Sequence, residues 1–121
     1  MVLVDTSVWI SHFNKRNSFL AELLSNGMVA CHPFIIGELA CGRLKNREEI
    51  ILLMRTLSRV QEVSHEEILQ FIEAHQLMGV GIGLIDVHLL ASALLTRILL
   101  WTYDKKLQTA AGKLAISYVP E

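Results

Sequence analysis

Apolar residues fall along this chain in short continuous runs that alternate with helical stripes. Residues 2–5 open with Val2-Leu3-Val4 ahead of Asp5, the kind of run that is buried on both faces of a parallel sheet. Thr6 and Ser7 then offer N-cap oxygens to a helix through Val8, Trp9, Ile10 and Phe13. A polar break at Lys15-Arg16-Asn17 precedes a helix over 18–24, which stops at Asn26-Gly27. Residues 28–32 read as a second strand. Pro33 suits the first turn of the next helix, where Phe34, Ile35, Leu39 and Ala40 leave Glu38 as the only charge.

Beyond Gly42, Asn46 and Glu49 have capping-box spacing and open a helix through Ile50, Leu53, Met54 and Leu57. Residues 60–63 are a weak third strand. Ser64 and Glu67 repeat the capping signature before a stripe of Ile68, Phe71, Ile72 and Met78, and Gly79, Gly81 and Gly83 mark a sharp reversal. A helix over 84–95, a strand over 98–101, a short helix through Leu107 and Ala111 and a fifth strand over 115–119 follow. This alternation predicts a single three-layer α/β domain over residues 1–121 with a mostly parallel sheet.

Composition narrows the class. A chain of 121 residues supports one core, and its hydrophobic fraction of 52% includes no run near the roughly 18 residues a membrane span requires. The first strand follows Met1 at once, without a basic leader, so a cytoplasmic protein is expected. Cys31 and Cys41 lack a CxxC partner and read as buried apolar residues. The net charge of −1 does not announce a nucleic-acid binder. Neutralising four of the 12 acids at one site would leave eight against 11 basic groups, a balance that permits a polyanionic substrate.

The candidate chemistry lies in the acids. The chain has only three aspartates, Asp5, Asp86 and Asp104, each at the boundary of an apolar run. In an open parallel sheet, ligands bind outside the carboxyl ends of the strands. Asp5 and Asp104 follow strands directly, and Glu38 lies within two turns of one. Asp86 begins a helix that must run antiparallel to the strand after it, so it reaches the same edge. Singly, Asp5 and Asp104 read as N-caps, Asp86 as a first-turn acid and Glu38 as a surface residue. Jointly they converge, and Glu38 among Ile35, Ile36, Leu39 and Ala40 suggests a largely buried helix. Four clustered carboxylates need a cation, and oxygen ligands without convergent Cys or His select Mg²⁺ or Mn²⁺. Such a site suits metal-assisted phosphodiester hydrolysis.

The run into Asp5-Thr6-Ser7, the segment Gly37-Glu38-Leu39, Gly83-Leu84-Ile85-Asp86 with Leu89-Leu90-Ala91, and Trp101-Thr102-Tyr103-Asp104-Lys105-Lys106-Leu107 together resemble a PIN domain, and the length resembles that of a VapC-type toxin. The resemblance implies a five-stranded parallel sheet in the order 3-2-1-4-5 and a Mg²⁺-dependent endoribonuclease. It also implies a homodimer held inactive by a cognate antitoxin in the active-site groove. It carries Asp5, Glu38, Asp86 and Asp104 over as the acidic quartet, with Asp5 and Asp86 first as direct metal ligands. Thr6, Ser7 and Thr102 match hydroxyl positions that orient water or a ligand carboxylate, or else they cap helices.

Other readings are weaker. His88 stands about 200° round its helix from Asp86 and is structural or a rim contact, and His75 falls on an apolar stripe as a packed side chain. Trp9 and Phe13 are core residues or a dimer surface. Arg43, Lys45 and Arg47 track an RNA backbone or, as is commoner, stay solvated. A receiver-like phospho-acceptor domain would need paired acids after the first strand, where Thr6 and Ser7 stand instead. A catalytically inactive PIN-type binding module would gain nothing from four clustered acids.

Overall fold

The computed structural model describes residues 1–120. The chain runs β1 (Val2–Val4), α1 (Thr6–Asn14), α2 (Ser18–Ser25), β2 (Val29–Cys31), α3 (Pro33–Cys41), α4 (Arg47–Thr56), β3 (Ser58–Arg59), α5 (His65–His75), α6 (Leu84–Thr96), β4 (Leu99–Trp101) and α7 (Lys105–Lys113). It is an α/β fold with a parallel sheet in the order β3-β2-β1-β4, flanked by helices. Val2, Leu3 and Val4 of β1 pair with Leu99, Leu100 and Trp101 of β4, and Val2 and Leu3 pair with Val29 and Ala30 of β2. Because β1 is enclosed on both sides, all three of its residues are buried. The core collects Leu3, Val4, Trp9, Leu89, Leu90 and Trp101. A smaller cluster of Ile68, Val87 and Ala91 holds α5 on α6.

The fifth strand is reduced to one parallel bridge, Leu100 to Ser117, so the 3-2-1-4-5 order survives with a minimal last member. The Ala115 and Ile116 N–H groups are spent on closing α7, donating to Gly112 O (3.0 Å) and Ala111 O (2.9 Å). Ala115 sits at φ 59°, which turns the chain out of extended geometry until Tyr118 N–H reaches Leu100 O at 2.9 Å. The third strand lies at Ser58–Arg59, earlier than the expected 60–63. Val60 N–H still reaches Cys31 O, but Gln61 N–H turns away to Thr96 Oγ1 at 3.1 Å.

Two capping signatures met different fates. Ser64 and Glu67 form the reciprocal box. Asn46 adopts a left-handed conformation (φ 58°) and makes no side-chain cap, so α4 begins with Glu48 and Glu49 favouring its positive end instead. At the far end of α5, left-handed Gln76 and the bond from Leu77 N–H to Ile72 O stop the helix. Met78 is left outside it and exposed, and His75, also exposed, rests against the Phe71 ring without entering the core. Cys31 is buried, but Cys41 at the end of α3 is exposed, contrary to expectation. Trp9 is fully buried in the core, and the half-buried Phe13 stacks on it.

The division between core and surface predicts the cost of truncation. Leu90→Ala, at a fully buried position, should lower the free energy of urea unfolding by about 2–5 kcal/mol. Leu52→Ala, at 64% exposure, should change it by no more than about 0.5 kcal/mol.

Candidate active site

The pairing of Val4 with Trp101 sets the residues that follow each strand side by side. Asp5 N–H donates to Trp101 O at 2.9 Å, continuing the ladder by one bond, and the Asp5 side chain is buried with 7% exposure. A buried carboxylate requires donors, and two hydroxyls supply them. Ser7 Oγ and Thr102 Oγ1 each donate to Asp5 Oδ2 at 2.8 Å. With their single hydrogens so used, the two hydroxyls accept from the chain: Tyr103 N–H donates to Ser7 Oγ (3.1 Å) and Asp104 N–H to Thr102 Oγ1 (3.0 Å). Ser7 therefore clamps the β4–α7 turn onto the start of α1.

Thr6 and Ser7 lie within the first turn of α1, where Asp5 is the N-cap residue without a side-chain cap bond. Their hydroxyls donate to acids and cap no amide of α1. Thr6 Oγ1 donates to Glu38 Oε1 at 2.7 Å, tying α3 to α1. Glu38 itself is exposed, as are Phe34 and Gly37. The expectation of a largely buried α3 is corrected: only Ile35 and Leu39 on this helix are buried, and the apolar composition of its other face is left open to solvent.

Asp104 does cap its helix, Oδ1 accepting from Leu107 N–H at 3.0 Å. Asp86 stands in the first turn of α6. Its carboxyl is held above its ordinary pKa, first by burial, then by the charge of Asp5 and, after an opposing bond from the Gly83 backbone, by Asp104 and Glu38. The four acids thus share one electrostatic neighbourhood. Among the described residues, Asp5, Glu38 and Asp104 each engage one carboxylate oxygen with a protein donor and leave the other without one.

Among the described residues no three His, Cys, Asp or Glu side chains are already drawn together as a set that could hold a metal ion. Three of the acids are each held by a different protein donor: Asp5 by Ser7 and Thr102, Glu38 by Thr6 and Asp104 by the Leu107 amide. The donor chemistry still fits a hard cation, since every available ligand is a carboxylate oxygen.

His88 is buried and packs edge-on against Phe34. His32, given no role from sequence, caps α3 by accepting from Phe34 N–H through Nδ1 at 2.9 Å. Burial, and then the neighbouring His88, push its pKa down to about 4. Sequence reasoning also passed over Asn17 and Tyr103. Asn17 Nδ2 donates to Tyr103 Oη at 3.0 Å, which holds an exposed aromatic ring at the same edge. The only signal for Tyr103 was its place between Thr102 and Asp104.

Comparison with known proteins agrees with this architecture. The profile of the PIN domain family matches residues 2–113. Ribonuclease VapC32, from two strains of Mycobacterium tuberculosis, is 39% identical over 122 aligned positions that cover 100% of this chain and 98% of the relative. The crystal structure of PAE2754 from Pyrobaculum aerophilum superposes with a TM-score of 0.61 at 15% identity, over 90% of this chain and 78% of that one, a likeness of fold alone. With four acids at the carboxyl edge of a β3-β2-β1-β4 sheet and a family match that spans nearly all of its elements, the chain belongs to the PIN domain family, among its VapC-type members.

Proposed function

We propose that this chain is a Mg²⁺-dependent endoribonuclease, the toxin of a VapC-type toxin–antitoxin pair, with Asp5, Glu38, Asp86 and Asp104 as its catalytic and metal-binding acids. The observation that carries this reading is Asp86, whose proton affinity is raised by burial and by the three other acids together. A cluster that destabilises itself in this way needs a cationic counterpart. The name of its relative, Ribonuclease VapC32, supports RNA as the substrate.

Bound Mg²⁺, for which Mn²⁺ substitutes, would be held by carboxylate oxygens of the four acids and would supply a water activated for attack and charge neutralisation at the phosphate. The chain's own residues prepare that site. Ser7 and Thr102 hold Asp5 by Oδ2, which leaves Oδ1 without a protein donor. Thr6 orients Glu38 in the same fashion, and Asp104 is fixed by its cap bond. Asp86, on the first turn of α6, lies where the helix dipole favours negative charge. The partners that follow are RNA, a cognate antitoxin protein filling the groove, and a second copy of the chain. Residues 1–121 form a single PIN domain, and cytoplasm is the proposed compartment. No helix among the described residues is long and apolar enough to cross a membrane.

Asp5→Asn and Asp86→Asn should each abolish cleavage of RNA in vitro and relieve growth arrest on expression; a fully toxic variant would refute the assignment. Thr102→Val should keep the fold while costing about 10–100-fold in metal affinity or activity, as loss of a residue that orients a ligand does.

A stability experiment follows from the sign of the Asp86 shift. Its carboxyl binds protons more tightly in the folded than in the unfolded chain, so stability falls as pH rises from the ordinary value of 3.8 through the raised one, and the loss persists above it. Metal-free Asp86→Asn should therefore melt above the metal-free wild type at pH 7, with the gap closing as the pH falls below 3.8. Adding Mg²⁺ at 100 times its Kd should stabilise the wild type by about 2.7 kcal/mol and the variant by much less.

A further inference from the structure

A second site lies on the flank of the acidic edge, between the α5–α6 connection and α7. A cavity of about 430 Å³ there is lined by Lys105, Lys106 and Lys113 together with His75, and no Asp or Glu lines it. Three of the chain's 11 lysines and arginines thus meet in one concavity of a protein whose net charge is −1. Lys106 is laid along the loop: a Cβ on Gly81 would come within 2.7 Å of Lys106 Cδ and 2.8 Å of its Nζ. Gly81 also holds a left-handed φ of 84°, so the residue that admits the lysine is the one the turn requires.

The spacing of these charges tells what they fit. Lys106 and Lys113 stand two turns apart on one face of α7, about 10 Å along its axis. That spacing suits an extended polyanion, whose successive phosphates can each meet one ammonium group. The row also has an origin, because Lys105 follows Asp104 directly and α7 starts at the edge where the acids meet. The basic cluster that stands out in sequence is less available, since Arg47 spends its guanidinium on Ala40 O at the end of α3.

We infer that the Lys105, Lys106 and Lys113 groove binds the phosphodiester backbone of the single-stranded RNA substrate on one side of the scissile bond, leading it from the acidic edge along α7. The inference rests on the proposed ribonuclease function and adds a binding site outside the acidic quartet.

The test is RNA binding by fluorescence anisotropy in Mg²⁺ buffer, with a labelled single-stranded oligonucleotide, salt from 50 to 200 mM, and Asp86→Asn as the uncleaving parent. Adding Lys106→Gln and Lys113→Gln should weaken binding several-fold and make the slope of log Kd against log salt shallower by about 1.4, roughly 0.7 for each single-strand phosphate that is no longer neutralised. Lys45→Gln should leave the slope as in the parent. Melting midpoints equal to the parent's exclude unfolding, and Lys106→Glu, a charge reversal, should weaken binding further. An unchanged slope in the double variant overturns the inference, as does a parent that binds no RNA. So does a groove that only inorganic phosphate occupies, read as phosphate raising the parent's melting midpoint but not the double variant's while the RNA slopes match. If wild type cleaves RNA and the slopes match, the ribonuclease reading stands and the groove fails. If the slope depends on the lysines but wild type cleaves no RNA, the groove stands as an RNA-binding site and the ribonuclease reading fails.

Discussion

The parallel contact between β1 and β4 is the constraint on which the rest depends. Three residues on each strand fix the register, and one further bond, Asp5 N–H to Trp101 O, carries it to the point where both strands turn into helices. Beyond that point the two chains diverge, and the gap is closed by side chains: Ser7 and Thr102 share Asp5 Oδ2 and accept the Tyr103 and Asp104 amides in return. A slip of one residue would turn every side chain of β1 to the opposite face and separate Asp5 from Thr102. The enclosed, fully buried β1 makes such a slip costly, so the core enforces the geometry of the edge.

The edge itself is held in tension between anchoring and repulsion. Each acid has its own donors: Asp5 two hydroxyls, Glu38 the Thr6 hydroxyl, Asp104 the α7 amide it caps, and Asp86 the Gly83 backbone. At Asp86, burial and the charges of the other three acids outweigh the bond from Gly83 and hold its carboxyl above the ordinary value. Capping and convergence turn out to be compatible roles. A cap uses one oxygen of Asp104 and leaves the second without a protein donor, so the ordinary explanation of an acid at a helix start does not compete with the proposed metal-binding role.

Much of this is legible in the sequence, and the misses share a physical origin. Local signals did well where one turn of chain contains the whole interaction, as in the Ser64–Glu67 box. They failed where a competing bond from elsewhere decided the outcome. Gln61 left the sheet for Thr96 Oγ1, the end of α7 consumed the amides expected of a fifth strand, and Asn46 took a left-handed turn in place of a cap. Glu38 was misplaced for another reason: an apolar helix reads as buried, yet α3 keeps Phe34 at 39% exposure. The lysine groove was invisible because its walls come from the α5–α6 connection and α7, two segments well separated in a chain that gives no hint of their contact.

What the sequence determined by itself was the order of the helices and of the first four strands, the parallel sheet and the edge to which every aspartate belongs, because apolar runs and helix polarity follow from local composition and chain direction. Only the tertiary structure decided which oxygen of each acid is taken and which is left, that Thr6 and Ser7 serve Glu38 and Asp5 and cap nothing, and that Lys106 lies over Gly81. Those outcomes depend on angstrom-scale distances between residues up to 97 positions apart, and no local pattern encodes them.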